Sequence, residues 1–255
     1  MFIKKSCVVV TGAAHGIGRA LAFSVAQHGA SHIICADIDF VGAAAVADEI
    51  GGTALPVDVS DEAQISHLIA LVEDTIAPID LFCSNAGILT LGGLDVSNGD
   101  WLKTWEINVM AHVWAARHVV PRMIERGAGY LLNTASAAGL LNQIGAAPYG
   151  VSKHAAVGLA EWLAITYGDL GIGVSVLCPQ AVRSEMTRGL GHNVASIDGM
   201  LEPETVAEFC IEAIENEEFL VLPHPEVLGY MRAKTADYDR WLNGMRKLQK
   251  RYESK

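Results

Sequence analysis

The chain predicts an α/β fold: a doubly wound parallel sheet of about seven strands with helices on both faces. Three features predict it. Short apolar or β-branched runs recur from end to end, most of them separated by segments of roughly helical period. Strand, helix and strand in repetition require parallel pairing through right-handed crossovers. Runs such as "CVVV" at 7–10 and "VSVLC" at 174–178 are largely apolar throughout, as strands covered on both faces are.

The elements follow in order. Strand Cys7–Val10 leads into a glycine-rich turn and a helix over Ile17–His28. Strand Ser31–Cys35 precedes a helix at Ala43–Ile50, and strand Thr53–Val57 precedes one at Asp61–Thr75. Leu81–Ser84 is the fourth strand, followed by a long helix over Trp101–Arg126. Gly129–Asn133 is the fifth, followed by a helix over Tyr149–Leu170 that is rich in Ala and Leu. Gly173–Cys178 is the sixth and Phe219–Leu222 the seventh. Between these two the periodicity fails. The stretch "SEMTRGLGHNVASIDGM" is rich in glycine and short polar residues, and the segment 184–202 reads as a substrate lid or a surface loop. Residues 224–255 form a C-terminal helical extension. Val227, Met231, Tyr238, Trp241, Met245 and Leu248 fall largely on one stripe. That stripe packs on its own domain, or serves as a subunit contact or pocket cover.

Composition narrows the class. The 255 residues suit one domain over 1–255; about half are apolar and 18% are charged, which excludes a disordered chain. No apolar run reaches the ~18 residues of a membrane span, and the N-terminus is not a signal peptide. Five cysteines without a CxxC pair point to buried thiols in a reducing cytoplasm. A net charge of −11 argues against nucleic-acid binding. The charge is uneven: Met231–Lys255 carries eight Lys and Arg against three Asp and Glu.

The turn after the first strand reads Gly12-x3-Gly16-x-Gly18. Gly12 permits the turn, Gly16 admits backbone N–H groups to a pyrophosphate, and Gly18 lets helix and strand approach closely. Its place at the first strand–helix junction, with Ile17 opening the helix, makes it a Rossmann-like dinucleotide site. Asp37 ends the second strand and can accept hydrogen bonds from both adenosine ribose hydroxyls while repelling a 2′-phosphate. This favours NAD over NADP; His15, in the turn, weakly opposes that preference.

Taken together, the chain resembles the short-chain dehydrogenase/reductase family from Thr11 to about Leu222. The motifs that carry the resemblance are "TGAAHGIG", "DVS" at Asp58–Ser60, "NAG" at Asn85–Gly87, Asn108 in "EINV", Ser136, and "YGVSK" beginning at Tyr149. The resemblance implies that Asp58 and Val59 hold the adenine, and that Asn85 and Gly87 lie beside the adenosine ribose. Pro179, Val182 and Ser184 would serve the nicotinamide end. Gln180 stands where the family places glycine, and Arg183 beside it has Glu185 or a substrate anion as candidate partners.

Tyr149 and Lys153, four residues apart, share one helix face. A cation held beside the phenol, with a positive nicotinamide ring nearby, would lower its pKa enough for it to act as general acid/base. By the resemblance, Lys153 also binds the nicotinamide ribose, Ser136 donates to the substrate oxygen, and Asn108 holds a water touching Lys153. The expected reaction is hydride transfer between NAD(H) and a secondary alcohol or ketone. The pocket, expected along Thr90–Leu94, Leu140–Ile144, Gln180–Met186 and the insertion to Met200, is mostly apolar. No GxSxG or HExxH motif supports a hydrolase or a metal site. The alternative is a non-catalytic dinucleotide sensor or scaffold on the same fold. Small residues along 149–170 allow close helix contact, and the resemblance implies a homodimer or homotetramer.

Overall fold

The computed structural model describes residues 1–189 and 194–253. Its sheet has seven parallel strands: β1 (Cys7–Thr11), β2 (His32–Asp37), β3 (Thr53–Pro56), β4 (Leu81–Ser84), β5 (Gly129–Thr134), β6 (Ile172–Leu177) and β7 (Leu220–Val221). They lie in the order β3-β2-β1-β4-β5-β6-β7. The order reverses between β1 and β4, which opens a crevice at the carboxyl ends of the central strands.

Ten α-helices are described: α1 (Gly16–Gln27), α2 (Phe40–Ile50), α3 (Glu62–Thr75), α4 (Asn98–Trp105), α5 (Ala111–Arg126), the single-turn α6 (Ala138–Leu141), α7 (Ala147–Tyr167), α8 (Pro203–Asn216), α9 (Glu226–Ala236) and α10 (Tyr238–Glu253). The sheet divides the core in two. Val9, Ile34, Phe82, Leu131 and Val176 point to one face, where α3, α5 and α7 pack. Val8, Val10, Ile33, Leu81 and Leu132 point to the other, under α1, α2 and α8. Alternation of side chains along each strand therefore feeds two apolar layers from strands that read as continuously apolar. All five cysteines are free and buried.

Three parts of the chain differ from the sequence reading. The long helix expected over Trp101–Arg126 is two helices joined by a π-helical turn at Glu106–Met110. Between β6 and β7 stands α8, begun by Pro203, whose fixed φ suits a first helical position and whose missing N–H costs nothing there. Its buried face, Val206, Ala207, Cys210, Ile211 and Ile214, covers the sheet beside α1. The C-terminal stripe is broken at Asp237, whose Oδ1 accepts the Arg240 backbone N–H at 2.9 Å and starts α10. Val227, Tyr230, Met231 and Trp241 of this extension gather on Ala137 and Leu141.

Candidate active site

A cleft of about 1190 Å³ runs along the carboxyl ends of the strands. At one end lies the glycine-rich turn. Gly12 has φ of +68°, and a Cβ there would come within 2.9 Å of Ala86 Cα. A Cβ on Gly18 would stand 2.0 Å from the Gly12 carbonyl oxygen and 2.6 Å from Asn85 Nδ2, so α1 meets β1 and β4 at a distance only glycine allows. His15, at the N-cap of α1, gives its first-turn N–H groups no side-chain acceptor. Open N–H groups at the helix start and a bare glycine cradle fit a pyrophosphate. Ile17, Asp58, Val59 and Gly87 line the same cleft. Ser184 reaches it as well, its Cβ 3.3 Å from the Cβ position of Gly16.

Asp37 does more than its sequence position suggests. Its Oδ2 accepts the Ala14 N–H at 2.9 Å and its Oδ1 accepts the Asp39 N–H at 2.9 Å, so it braces the glycine turn. Asp39, not singled out in the sequence, lies 2.8 Å from His15 Nε2. Its carboxyl is held below the usual range by the Gly42 N–H and by His15. Asn85 is a tie between strands: Nδ2 donates to the Thr11 carbonyl at 3.0 Å, and Oδ1 accepts from Thr134 Oγ1 at 3.1 Å.

At the other end the four expected residues converge. Ser136 follows β5; its hydroxyl donates to the Pro179 carbonyl at 3.3 Å and accepts the Ala138 N–H at 3.1 Å. Tyr149 and Lys153 project from α7, with Nζ 5.7 Å from the phenol ring centre. Lys153 is buried and donates to the Thr134 carbonyl at 2.9 Å. Asn108 lies inside the π turn, a distortion common at functional sites. Its Oδ1 accepts the Ile88 N–H at 2.9 Å, and its Nδ2 donates to the Ile88 carbonyl at 2.9 Å and to Ser152 Oγ at 3.0 Å. The side chain thus anchors the loop after β4 to α7. A Cβ on Gly87 would meet Asn108 Oδ1 at 3.3 Å and Lys153 Nζ at 3.4 Å, which places both groups against that glycine.

The electrostatics correct one expectation. The phenol of Tyr149 is raised, not lowered: desolvation outweighs the opposing Ser136 hydroxyl. Burial likewise depresses Lys153, to about 8. A low-dielectric site penalises whichever form is charged, so the chain's own groups leave a protonated phenol beside an ammonium that is easily discharged. Behind them His112 is buried and neutral, depressed to about 3 first by desolvation and then by the Lys153 charge. Its Nδ1 faces Asn133 Nδ2 at 3.0 Å, and its Nε2 has no partner among the described residues.

The substrate side also departs from expectation. Leu91 lines the cleft, but Thr90 turns away to Thr104, with 2.6 Å between their hydroxyls, and Leu94 is exposed. Arg183 pairs with Glu202 at 2.7 Å, and Glu185 pairs with Arg188. Gln180 donates its backbone N–H to His224 Nδ1 at 3.2 Å and its Nε2 to Asp198 Oδ2 at 2.9 Å. Tyr230 donates to the other Asp198 oxygen at 3.0 Å, joining the turn after β6, the insertion and α9. Leu190–Asn193 of the expected lid lie outside the described residues. The sequence stripe had left open what α9 and α10 cover; Tyr230, Trp241, Met245 and Leu248 line this cleft.

The short chain dehydrogenase family model matches residues 6–195. The chain is 34% identical over 247 residues to the 1-deoxy-11-beta-hydroxypentalenate dehydrogenase of Streptomyces exfoliatus, covering 93% of this chain and 90% of that one. It superposes on a short chain dehydrogenase/reductase of Burkholderia phymatum in complex with NAD, with a TM-score of 0.86 and 29% identity over 94% of this chain and 96% of the other. A putative NAD(P) dependent gluconate 5-dehydrogenase of Beutenbergia cavernae, with bound NADP, gives a TM-score of 0.81 and 27% identity over 90% and 100%. With its seven-stranded Rossmann-like sheet and a sequence match over most of its length, the chain belongs to the short-chain dehydrogenase/reductase family, NAD(P)-linked oxidoreductases acting on alcohols and ketones.

Proposed function

We propose that the protein oxidises an apolar secondary alcohol, or reduces the corresponding ketone, with NAD(H), and that Tyr149 is its general acid/base. The convergence of Ser136, Tyr149 and Lys153 on one end of a dinucleotide-sized cleft, with Asn108 buried behind them and tied to Ser152, carries this reading. Bound at the glycine turn, the dinucleotide supplies the hydride acceptor. Gly12, His15, Gly16 and Ile17 would hold its phosphates, with Gly18 packing α1 against the turn beneath them, Asp58 and Val59 the adenine, and Asn85, Gly87, Pro179, Val182 and Ser184 the remainder. Asp37 and Asp39 together make the adenosine ribose end hostile to a 2′-phosphate, which favours NAD.

In the reducing direction Tyr149, protonated as burial leaves it, gives its proton to the ketone oxygen; in the oxidising direction it first releases that proton to solvent, with the Lys153 ammonium supporting the phenolate that then takes the hydroxyl proton. Ser136, free to swing its hydroxyl from Pro179, donates to the substrate oxygen and stabilises the developing alkoxide. Lys153 holds positive charge near the phenol and offers further N–H groups to ribose hydroxyls. Asn108 positions Lys153 through Ser152 and the Ile88 loop. Val194, Ala195 and Ile197 of the insertion, with α9–α10, wall the substrate end. The Tyr149→Phe variant should bind NAD and lose at least about 100-fold in turnover. NADH formation over a panel of secondary alcohols, with NAD against NADP, tests it; full activity in the variant, or no turnover by the wild type, would reject the reading.

A further inference from the structure

We infer that the wall of the cleft built by α10 is an anion subsite, so that the substrate is an acidic alcohol or ketone. It would have an apolar carbon skeleton with a carboxylate or similar anionic group remote from the reacting carbon. The inference rests on the dehydrogenase reading above and adds a substrate class to it.

Arg240, Gly244, Lys247 and Arg251 line the cleft, and their spacing of four, three and four residues puts them on one helix face. Trp241, Met245 and Leu248 line it from the adjoining stripe, so the wall presents apolar surface beside cations. From Arg240 to Arg251 the cations span about 16 Å at 1.5 Å per residue. Of the acids nearby, Glu185 is paired with Arg188, whereas Asp198 accepts from Gln180 and Tyr230 and Asp237 caps α10, neutral bonds that leave both carboxylates charged at the Arg240 end of the stripe. Other cations around the cleft mouth are neutralised or occupied: Arg183 by Glu202, and Lys234 by the Leu140 carbonyl. Arg240, Lys247 and Arg251 make no side-chain hydrogen bond or ion pair among the described residues. In a chain of net charge −11, whose cleft also carries Asp37, Asp58, Glu185 and Asp237, three cations without an ion pair form a basic stripe confined to the α10 wall. Exposed at the cleft wall beside the apolar Trp241, Met245 and Leu248, such a stripe attracts an anionic group whose carbon skeleton lies on the apolar side.

The test compares decanoate with methyl decanoate binding to the NADH-loaded enzyme by calorimetry. The acid should bind more tightly than the ester. The triple variant R240A/K247A/R251A should lose about tenfold for the acid and little for the ester, as three partly screened ion pairs imply. The double variant R240K/R251K, which keeps the charge, should retain the preference. Raising salt from about 0.05 to about 0.5 M should shrink it. Equal binding of acid and ester, or no binding of either, overturns the inference. So does a triple variant that loses NADH affinity with its acid preference intact, since the cations would then serve the dinucleotide. Turnover of neutral secondary alcohols without any acid preference sinks the subsite and leaves the dehydrogenase reading standing; acid preference without any alcohol turnover does the reverse.

Discussion

Lys153 is the residue at which stability and chemistry pull apart. Its depression from 10.5 to about 8 means that at neutral pH the folded chain carries a buried ammonium at a cost of roughly 3 kcal/mol. Replacing it with Met removes that cost but forfeits the bond to the Thr134 carbonyl, worth about 1 kcal/mol. Lys153→Met should therefore raise stability by about 1–2 kcal/mol at pH 7 in denaturant titrations without cofactor, while turnover collapses. The sign follows the proton count. Between about pH 8 and 10.5 the unfolded lysine keeps a proton that the folded one has shed, so the wild type gains stability there as pH rises and the gap closes. A less stable variant at pH 7 would contradict this. His112 gives the opposite limb. Its folded value near 3 lies below the 6.5 of a free imidazole, so stability falls as pH drops from 6.5 toward 3, by at most roughly 5 kcal/mol. A His112→Gln variant should show a flatter acid limb in thermal melts between these values.

At the scale of elements, the approach of α1 to the sheet decides whether the cofactor end exists. The Cβ of Gly18→Ala would strike the backbone of Gly12, which cannot move without opening the turn. We expect a loss of about 1–3 kcal/mol and weaker NAD binding, checked by melting curves and cofactor titration. An unchanged protein would mean that the turn is slack. The same elements show what could be read in advance. Seven strands were legible because each is an apolar run between helical segments, and the residues that make up the candidate site could be singled out because their motifs are local. The π turn was not, since Asn108 in "EINV" looks like any polar residue in a helix and its bonds to Ile88 and Ser152 join distant parts of the chain. Nor was α8, although Pro203 and the buried spacing from Val206 to Ile214 mark it, because the irregular stretch before it carries no helical period that leads into it. The raised phenol was illegible for a different reason: desolvation depends on what surrounds a group, and a four-residue spacing reports only its nearest neighbour.

At the scale of the whole molecule, α7 presents an apolar face to solvent. On α7, Ala156 and Ala160 point into the core, whereas Val151, Trp162 and Ile165 are exposed on one stripe with Gly158 between them. Ile165 is 84% exposed, which suits a contact with a second copy better than with water. We propose that this face pairs subunits, and that Ile165→Lys with Trp162→Glu lowers the mass seen by light scattering to that of one chain; a monomeric wild type would end the proposal. The thiols carry a last consequence. Cys7, Cys35, Cys83, Cys178 and Cys210 sit in both apolar layers, and burial keeps all of them protonated at neutral pH. An alkylating reagent therefore finds no target until the layers part. Counting modified sulfurs against time would turn the chain into its own gauge of how often the sheet comes undone, with no dye or tag introduced.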